Sequence, residues 1–383
     1  MKLTNIENIN AYLVLFIISS FIIIETVYFD LDVKYLASFI LISMLFYINV
    51  NHFNKYYFMF LLFIFIMILT STFINIDNIV SLNLNTVLFI FLLWSFLLLN
   101  INKFNRDKFY FLLKNIIYFI LFISYILFFL KIQESPDAYT FHQNIFTGIF
   151  QNSFFASQVY FLFFILIINF GKDTKEDYLI LFLLLISMFL TLSRTGLICS
   201  LFIVSLLYFR NIKIILILSI LLLIALFFNE SYIVSKYYER LFSGTSNRLD
   251  FWLIVIEKSI LNLTSLFFGY GPNQTVIEFE GTKYSAHNSY IALIGDYGIL
   301  IFILVSTIIS VMMYKIRNNK KLLISFFALL LFAFFDVSLF VNGTFGFFIF
   351  MFLYSIRKKL HIYNKELEDE KYNRFWKSEI RVL

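Results

Sequence analysis

Apolar runs of roughly membrane-spanning length follow one another along most of the chain, and this recurrence limits the fold more than any motif does. A bilayer core is about 30 Å thick, so a helix needs about 20 predominantly apolar residues to cross it, with a lower limit of about 17. The runs fall at about 9–28, 35–50, 56–74, 84–99, 109–130, 153–170, 178–193, 196–209, 212–228, 288–314, 322–340 and 343–356. Several are shorter than a full span. Charged residues make up 14% of the 383, against about 25% in ordinary soluble proteins, and mean hydropathy is +0.86. No soluble core needs that much apolar surface. The expected fold is all-α, a polytopic integral membrane protein of about 12 transmembrane helices with one large extracytoplasmic loop.

The first run resembles a signal peptide in position only. Thr26, Val27 and Tyr28 are too large for a small-residue cleavage site, and a second apolar run follows at once, so a retained helix is expected. Cys199 is the single cysteine. It excludes an intrachain disulfide and argues against a cysteine-ligated metal. The net charge of +6 does not point to nucleic acid, because the basic residues flank apolar runs, where they set membrane orientation.

Orientation follows from those flanks. With the N-terminus in the cytoplasm, the inner segments hold Lys55; Lys103, Arg106 and Lys108; Lys172 and Lys175; Arg210 and Lys213; Lys315, Arg317, Lys320 and Lys321; and Arg357, Lys358 and Lys359. Outside the large loop, the outer segments hold only Lys34, Lys131 and Arg194. Both termini are therefore expected inside. Four regions result: about nine helices over 1–228, the large outer loop at 229–286, about three helices over 287–356, and a cytoplasmic tail at 357–383. Within the loop, helical spacing is expected at 232–241 and at 248–261 behind a Ser246 or Asn247 cap, followed by a Gly269-Tyr270-Gly271-Pro272 turn. The tail reads as an interfacial helix.

Few residues on the outer side could carry chemistry. Arg194 stands between two apolar runs, at the Ser193-Arg194-Thr195-Gly196 turn. Its guanidinium suits a phosphate, or else it caps the hairpin or snorkels to head groups. Arg248 opens a helix with Trp252 on the same face; it favours an anion there, or is a solvated surface arginine. His287 is an acceptor-activating imidazole or a structural interface histidine, with His142 the other outer-face histidine. Asn288 either orients a sugar hydroxyl or caps the next helix. Asp296 and Asp336 lie in outer helix halves as proton-path groups or as counter-ions of the arginines. Asp296 stands between Gly295 and Gly298, where backbones can approach closely. Asp30 and Asp32 have the spacing of a divalent-metal pair, but too few further ligands accompany them. No Walker, zinc-protease or nucleophile-elbow motif is present.

In order along the chain stand Ser193-Arg194-Thr195-Gly196, Arg248 with Trp252, Gly269-Tyr270-Gly271, His287-Asn288-Ser289-Tyr290 and Asp296-Tyr297-Gly298. This order resembles the O-antigen polymerase/ligase family of bacterial envelope glycan enzymes. The stretch from Gly148 to Ala156, with Asn152 in it, is similar to a further element of that family. The resemblance covers about 140–300 and implies a membrane-embedded glycosyltransferase with a GT-C-like architecture. Its donor and acceptor would be polyprenyl-diphosphate-linked oligosaccharides, its surroundings the lipid bilayer, and its partners a chain-length regulator and a flippase. Arg194, Arg248 and His287 would be catalytic. Asn152, Trp252, Gly269, Gly271, Asn288 and Asp296 would bind substrate. No metal or other cofactor is implied. A polymerase extends the lipid-linked chain, a ligase moves it to lipid A core, and a flippase would transport it without bond formation. A purely structural membrane protein would not need its two arginines and histidine on one side.

Overall fold

The computed structural model describes residues 3–26, 104–134, 146–150, 153–191, 194–208, 248–271, 275, 277–279, 282–284, 288–335, 344–357 and 360. Numbering only these elements, the helices are α1 (Leu3–Thr26), α2 (Arg106–Glu134), α3 (Ser153–Phe170), α4 (Lys175–Leu190), α5 (Arg194–Tyr208), α6 (Arg248–Ile260), α7 (Leu263–Phe268), α8 (Ser289–Ile316), α9 (Lys320–Phe335) and α10 (Thr344–Ser355). Among the described residues the only other element is a hairpin of β1 (Ile277–Phe279) and β2 (Thr282–Tyr284), in which Ile277 faces Tyr284 and Phe279 faces Thr282. By length and composition, Arg106–Leu130 within α2 and all of α8 suffice to cross a membrane, whereas Phe155–Phe170 and Arg194–Tyr208 are apolar but shorter.

Helix α3 forms the axis. Every residue from Ala156 to Phe170 is buried, as expected of a helix that is apolar all round, and α2, α4, α5, α9 and α10 pack against it. Two of its polar side chains tie it to neighbours: Asn169 Nδ2 donates to Ser325 Oγ of α9 at 2.8 Å, and Tyr160 donates to Ser124 Oγ of α2 at 3.0 Å. Helix α5 comes close because Gly196 lies against Ser157, where a Cβ would overlap the serine hydroxyl. Close approach at small residues is how apolar helices associate when lipid offers no hydrophobic drive.

The helix ends divide into two faces. On one, Asn105 caps α2 and ties it to α1, its N–H donating to the Glu7 carbonyl at 3.1 Å and its amide to Asn8 Oδ1 at 2.8 Å. Arg106 donates to the Phe170 carbonyl at the end of α3. Asp177 closes a capping box with Thr174 and accepts from Lys172 N at 2.8 Å and from the Tyr110 hydroxyl. Asp173 receives Lys321 of α9 at 3.0 Å and faces Tyr208 at the end of α5. Phe352 near the end of α10 stacks on Phe170 with ring centroids 5.9 Å apart. The basic segments at 106–108, 172–175 and 320–321 thus share one face with the start of α1 and the end of α10. On the opposite face stand the starts of α3, α5 and α8, the end of α9, and α6 and α7.

Several expected boundaries move. Helix α2 runs from 106 to 134 instead of 109–130, because Asn105 supplies the cap and Arg106 the anchor, so Lys131 is helical and does not open a loop. The 178–193/196–209 pair becomes 175–190 and 194–208, which puts Arg194 at the first position of a helix. The hairpin in the large loop was not anticipated. Ile277, Phe279, Thr282 and Tyr284 are β-forming types that a search for helical spacing passes over. The runs at 35–50, 56–74, 84–99 and 212–228, the patch at 232–241 and the tail from 361 lie outside the described residues.

Asp177 is the most exacting polar position on the basic face, since its removal strands the Tyr110 hydroxyl and two backbone N–H groups. Asp177→Ala is expected to cost about 1–3 kcal/mol, read as a lowered melting temperature of the purified protein. Lys172→Ala, which breaks an exposed pair with Asp107, should change stability by less than about 1 kcal/mol.

Candidate functional site

On the other face the chain breaks a helix and repairs the break with a loop. Helix α8 is interrupted at Gly298, whose φ of 81° and ψ of 172° are non-helical. A break of this kind leaves the preceding carbonyls without their usual N–H partners four residues on, and buried carbonyls need replacements. The Gly269-Tyr270-Gly271 turn provides them. Tyr270 N donates to the Gly295 carbonyl at 2.8 Å and Gly271 N to the Asp296 carbonyl at 2.9 Å.

Glycine is required on both sides of this contact. Gly269 and Gly271 have φ of 71° and 97°, a region that only glycine adopts freely. A Cβ on Gly269 would overlap the backbone of Asp296, and one on Gly298 would overlap the carbonyl of Phe267 in α7. A Cβ on Gly295 would come within 2.8 Å of Val255 Cγ1 in α6. The side chain of Asp296 is fully buried and accepts from Thr275 N at 3.1 Å. Two motifs that stand apart in the sequence are one backbone unit in space.

The rest of the loop is seated on the same helix. Phe251 and Val255 of α6 are buried with Trp252, Ile254 and Ile291 around them. Trp252 meets Phe334 of α9 edge to face at 5.5 Å. Asn288 caps α8: its side-chain oxygen accepts from Tyr290 N at 2.9 Å and Ile291 N at 3.1 Å, and the residue is 1% exposed. Of the two roles open to Asn288, capping is the one this geometry displays. Tyr290 then donates to the Leu330 carbonyl at 3.0 Å and fastens α8 to α9.

Arg194 opens α5 as a half-buried residue. Helix α9 packs against both α5 and α8, and α6 packs against α8. The first residue of α5, the first residue of α6 and the cap of α8 therefore belong to elements linked in series, α5 to α9 to α8 to α6, with these ends on one face. Gly269, Gly271, Asp296 and, through α6, Trp252 are brought together. His287, Asn152, Asp336, His142, Asp30 and Asp32, together with the side chain of Arg248, lie outside the described residues. Thr275 and the Phe267 carbonyl complete the unit without having been singled out. Thr275 follows a Gly-rich turn and acts through its backbone N–H, which no side-chain motif records.

No protein-family model matches this chain, and no curated protein matches it.

The contact between turn and helix is expected to be intolerant of a single methyl group. Gly298→Ala and Gly269→Ala combine a left-handed backbone, costing about 1–2 kcal/mol, with overlap against main-chain atoms that cannot swing aside. Both should lower the melting temperature and make the segment between Arg248 and Tyr284 cleavable by added protease. Thr264→Ala, on the exposed side of α7, should leave both measurements unchanged.

Proposed function

We propose that the chain is a membrane-embedded glycosyltransferase that polymerises polyprenyl-diphosphate-linked oligosaccharide repeat units into a surface polysaccharide, O-antigen or capsule, on the outer face of a bacterial plasma membrane. In this reading about 12 helices cross the bilayer, both termini are cytoplasmic and the 229–286 loop is outside. The supporting observation is the union of Gly269-Tyr270-Gly271 with Asp296-Tyr297-Gly298 on the face opposite the basic helix ends. Those motifs belong to the ordered set that resembles the polymerase/ligase family, and the segregation of basic ends matches the expected inner side.

The chemistry is a substitution at an anomeric carbon. The acceptor hydroxyl oxygen bonds to that carbon, the bond from carbon to diphosphate oxygen breaks, and the polyprenyl diphosphate leaves with the electron pair. Arg194 and Arg248 hold the diphosphate and stabilise the charge that develops on it, acting through preorganised electrostatics. A guanidinium matches two phosphate oxygens at once, which a lysine ammonium does not. His287 takes the proton from the acceptor hydroxyl. Asn152 and Trp252 meet the sugars. Gly269, Gly271, Asn288 and Asp296 hold the loop and the cap of α8 in place, through the Gly271 N–H, the Asn288 side-chain oxygen, and the Asp296 carbonyl and Oδ1. The mechanism uses no metal.

Deleting the gene should leave single repeat units in place of a polymer ladder on a gel. An intact ladder retained on carrier lipid would instead mean a ligase, and repeats trapped on the inner leaflet a flippase. At matched expression, Arg194→Lys and Arg248→Lys should lose turnover although charge is kept. His287→Ala should lose about 10²–10⁴-fold while donor lipid still binds. Normal output from His287→Ala would remove histidine from the mechanism.

Topology is testable separately in a Cys199→Ser background. A cysteine at the exposed Thr264 should react with an impermeant thiol reagent added outside, and one at the exposed Asn318 should react only after permeabilisation. The reverse pattern would invert the orientation and every outer-face assignment.

A further inference from the structure

We propose that α6 and the start of α7 form a ledge that lies in the outer head-group region of the bilayer, with one side immersed in acyl chains. The inference rests on the membrane reading above and adds a lipid-contact surface to its outer loop. With about 3.6 residues per turn, α6 divides into three sectors. Phe251, Val255 and Ser259 are buried against the protein. Asp250, Glu257 and Lys258 are exposed and charged. Leu249, Leu253, Ile256 and Ile260 follow the i, i+4, i+7, i+11 spacing of a single stripe and are 40% to 61% exposed. The chain then continues into Leu261 and Leu263, which are 76% and 72% exposed. Nothing among the described residues covers this stripe.

Depth and continuity identify its partner. Val255 lies against Gly295, six residues beyond the start of α8, or about 9 Å down that helix at about 1.5 Å per residue. With the start of α8 at the bilayer surface, as the membrane reading has it, this matches the depth of about 5–10 Å to which an amphipathic helix in a bilayer interface buries its apolar face. The stripe also continues an apolar flank, since Trp252 abuts Phe334 of α9, which is itself exposed, as is Phe327 two turns below it. A helix with one side on protein, one on water and one purely aliphatic side at this depth fits lipid. The ledge places Arg248, its first residue, at head-group depth, where the diphosphate of a polyprenyl carrier lies while its tail stays in the bilayer.

The test uses the full chain with Cys199→Ser, nitroxide-labelled at one introduced cysteine at a time and reconstituted into phosphatidylethanolamine/phosphatidylglycerol vesicles. Labels at Leu253, Lys258 and Phe119, the last on the exposed apolar flank of α2, are compared for collision with oxygen, which partitions into lipid, and with a water-soluble nickel chelate. The ledge requires Leu253 and Phe119 to favour oxygen and Lys258 to favour nickel, each by several-fold. Nickel access at Leu253 with oxygen access at Phe119 would overturn the ledge and leave the membrane reading standing. Shielding of Leu253 from both reagents, with spin–spin broadening, would overturn it in favour of a second copy on the stripe. Nickel access at Phe119 would sink the membrane reading and the ledge with it.

Discussion

The half of the molecule that carries the loop depends on two carbonyl groups that a broken helix cannot satisfy alone. Gly298 leaves the helical region, and the Gly295 and Asp296 carbonyls turn to the N–H groups of Tyr270 and Gly271. In an apolar setting an unpaired carbonyl costs several kcal/mol, so neither partner is stable in this form without the other. The break holds the turn, and the turn licenses the break. Because α7 and α6 are continuous with that turn and packed on α8, one pair of hydrogen bonds orients the whole described part of the loop. Irregular buried backbone is tolerated where neighbouring groups supply partners, and here the protein's own loop does so.

The opposite face solves another problem by other means. Eight of the described helices have an end there, each with backbone groups that lack intrahelical partners, and side chains satisfy many of them. Asn105, Asp177, Asn319 and Arg106 direct their polar atoms at main-chain groups. Asp173 and Asp177 accept from different elements, so the short turn between α3 and α4 becomes the junction of α2, α4, α5 and α9. Under the proposed function this rigid side serves as the base, and substrates meet the side where the loop docks. The ledge gives that docking a consequence. A carrier lipid diffusing in the bilayer would reach the loop laterally, by its own hydrocarbon tail, without leaving the membrane.

How far the sequence could be read depended on whether the signal was local. The span of α3 was legible to the residue because apolar continuity marks 153–170 and Gly171 follows it. The Gly295–Gly298 neighbourhood was legible as a place of close backbone approach, since small residues have few other reasons to cluster in an apolar run. What approaches it was not. Asn288 had two readings, and the φ and ψ around it chose the cap. The start of α2 and the position of Arg194 were misjudged by a few residues, because apolar content falls off before the capping residue does.

By itself, then, the sequence determined helical type, apolar character and the segregation of basic ends, because each is a property of residues adjacent in the chain or repeated at helical period. Tertiary structure alone decided that Gly269-Tyr270-Gly271 closes on Gly295 and Asp296, that Thr275 reaches the buried carboxylate, and that α6 keeps a second apolar side exposed. Those outcomes rest on main-chain hydrogen bonds between segments about 25 residues apart and on which of two apolar faces finds a protein partner. Side-chain identity records neither, since a backbone N–H is the same at nearly every position.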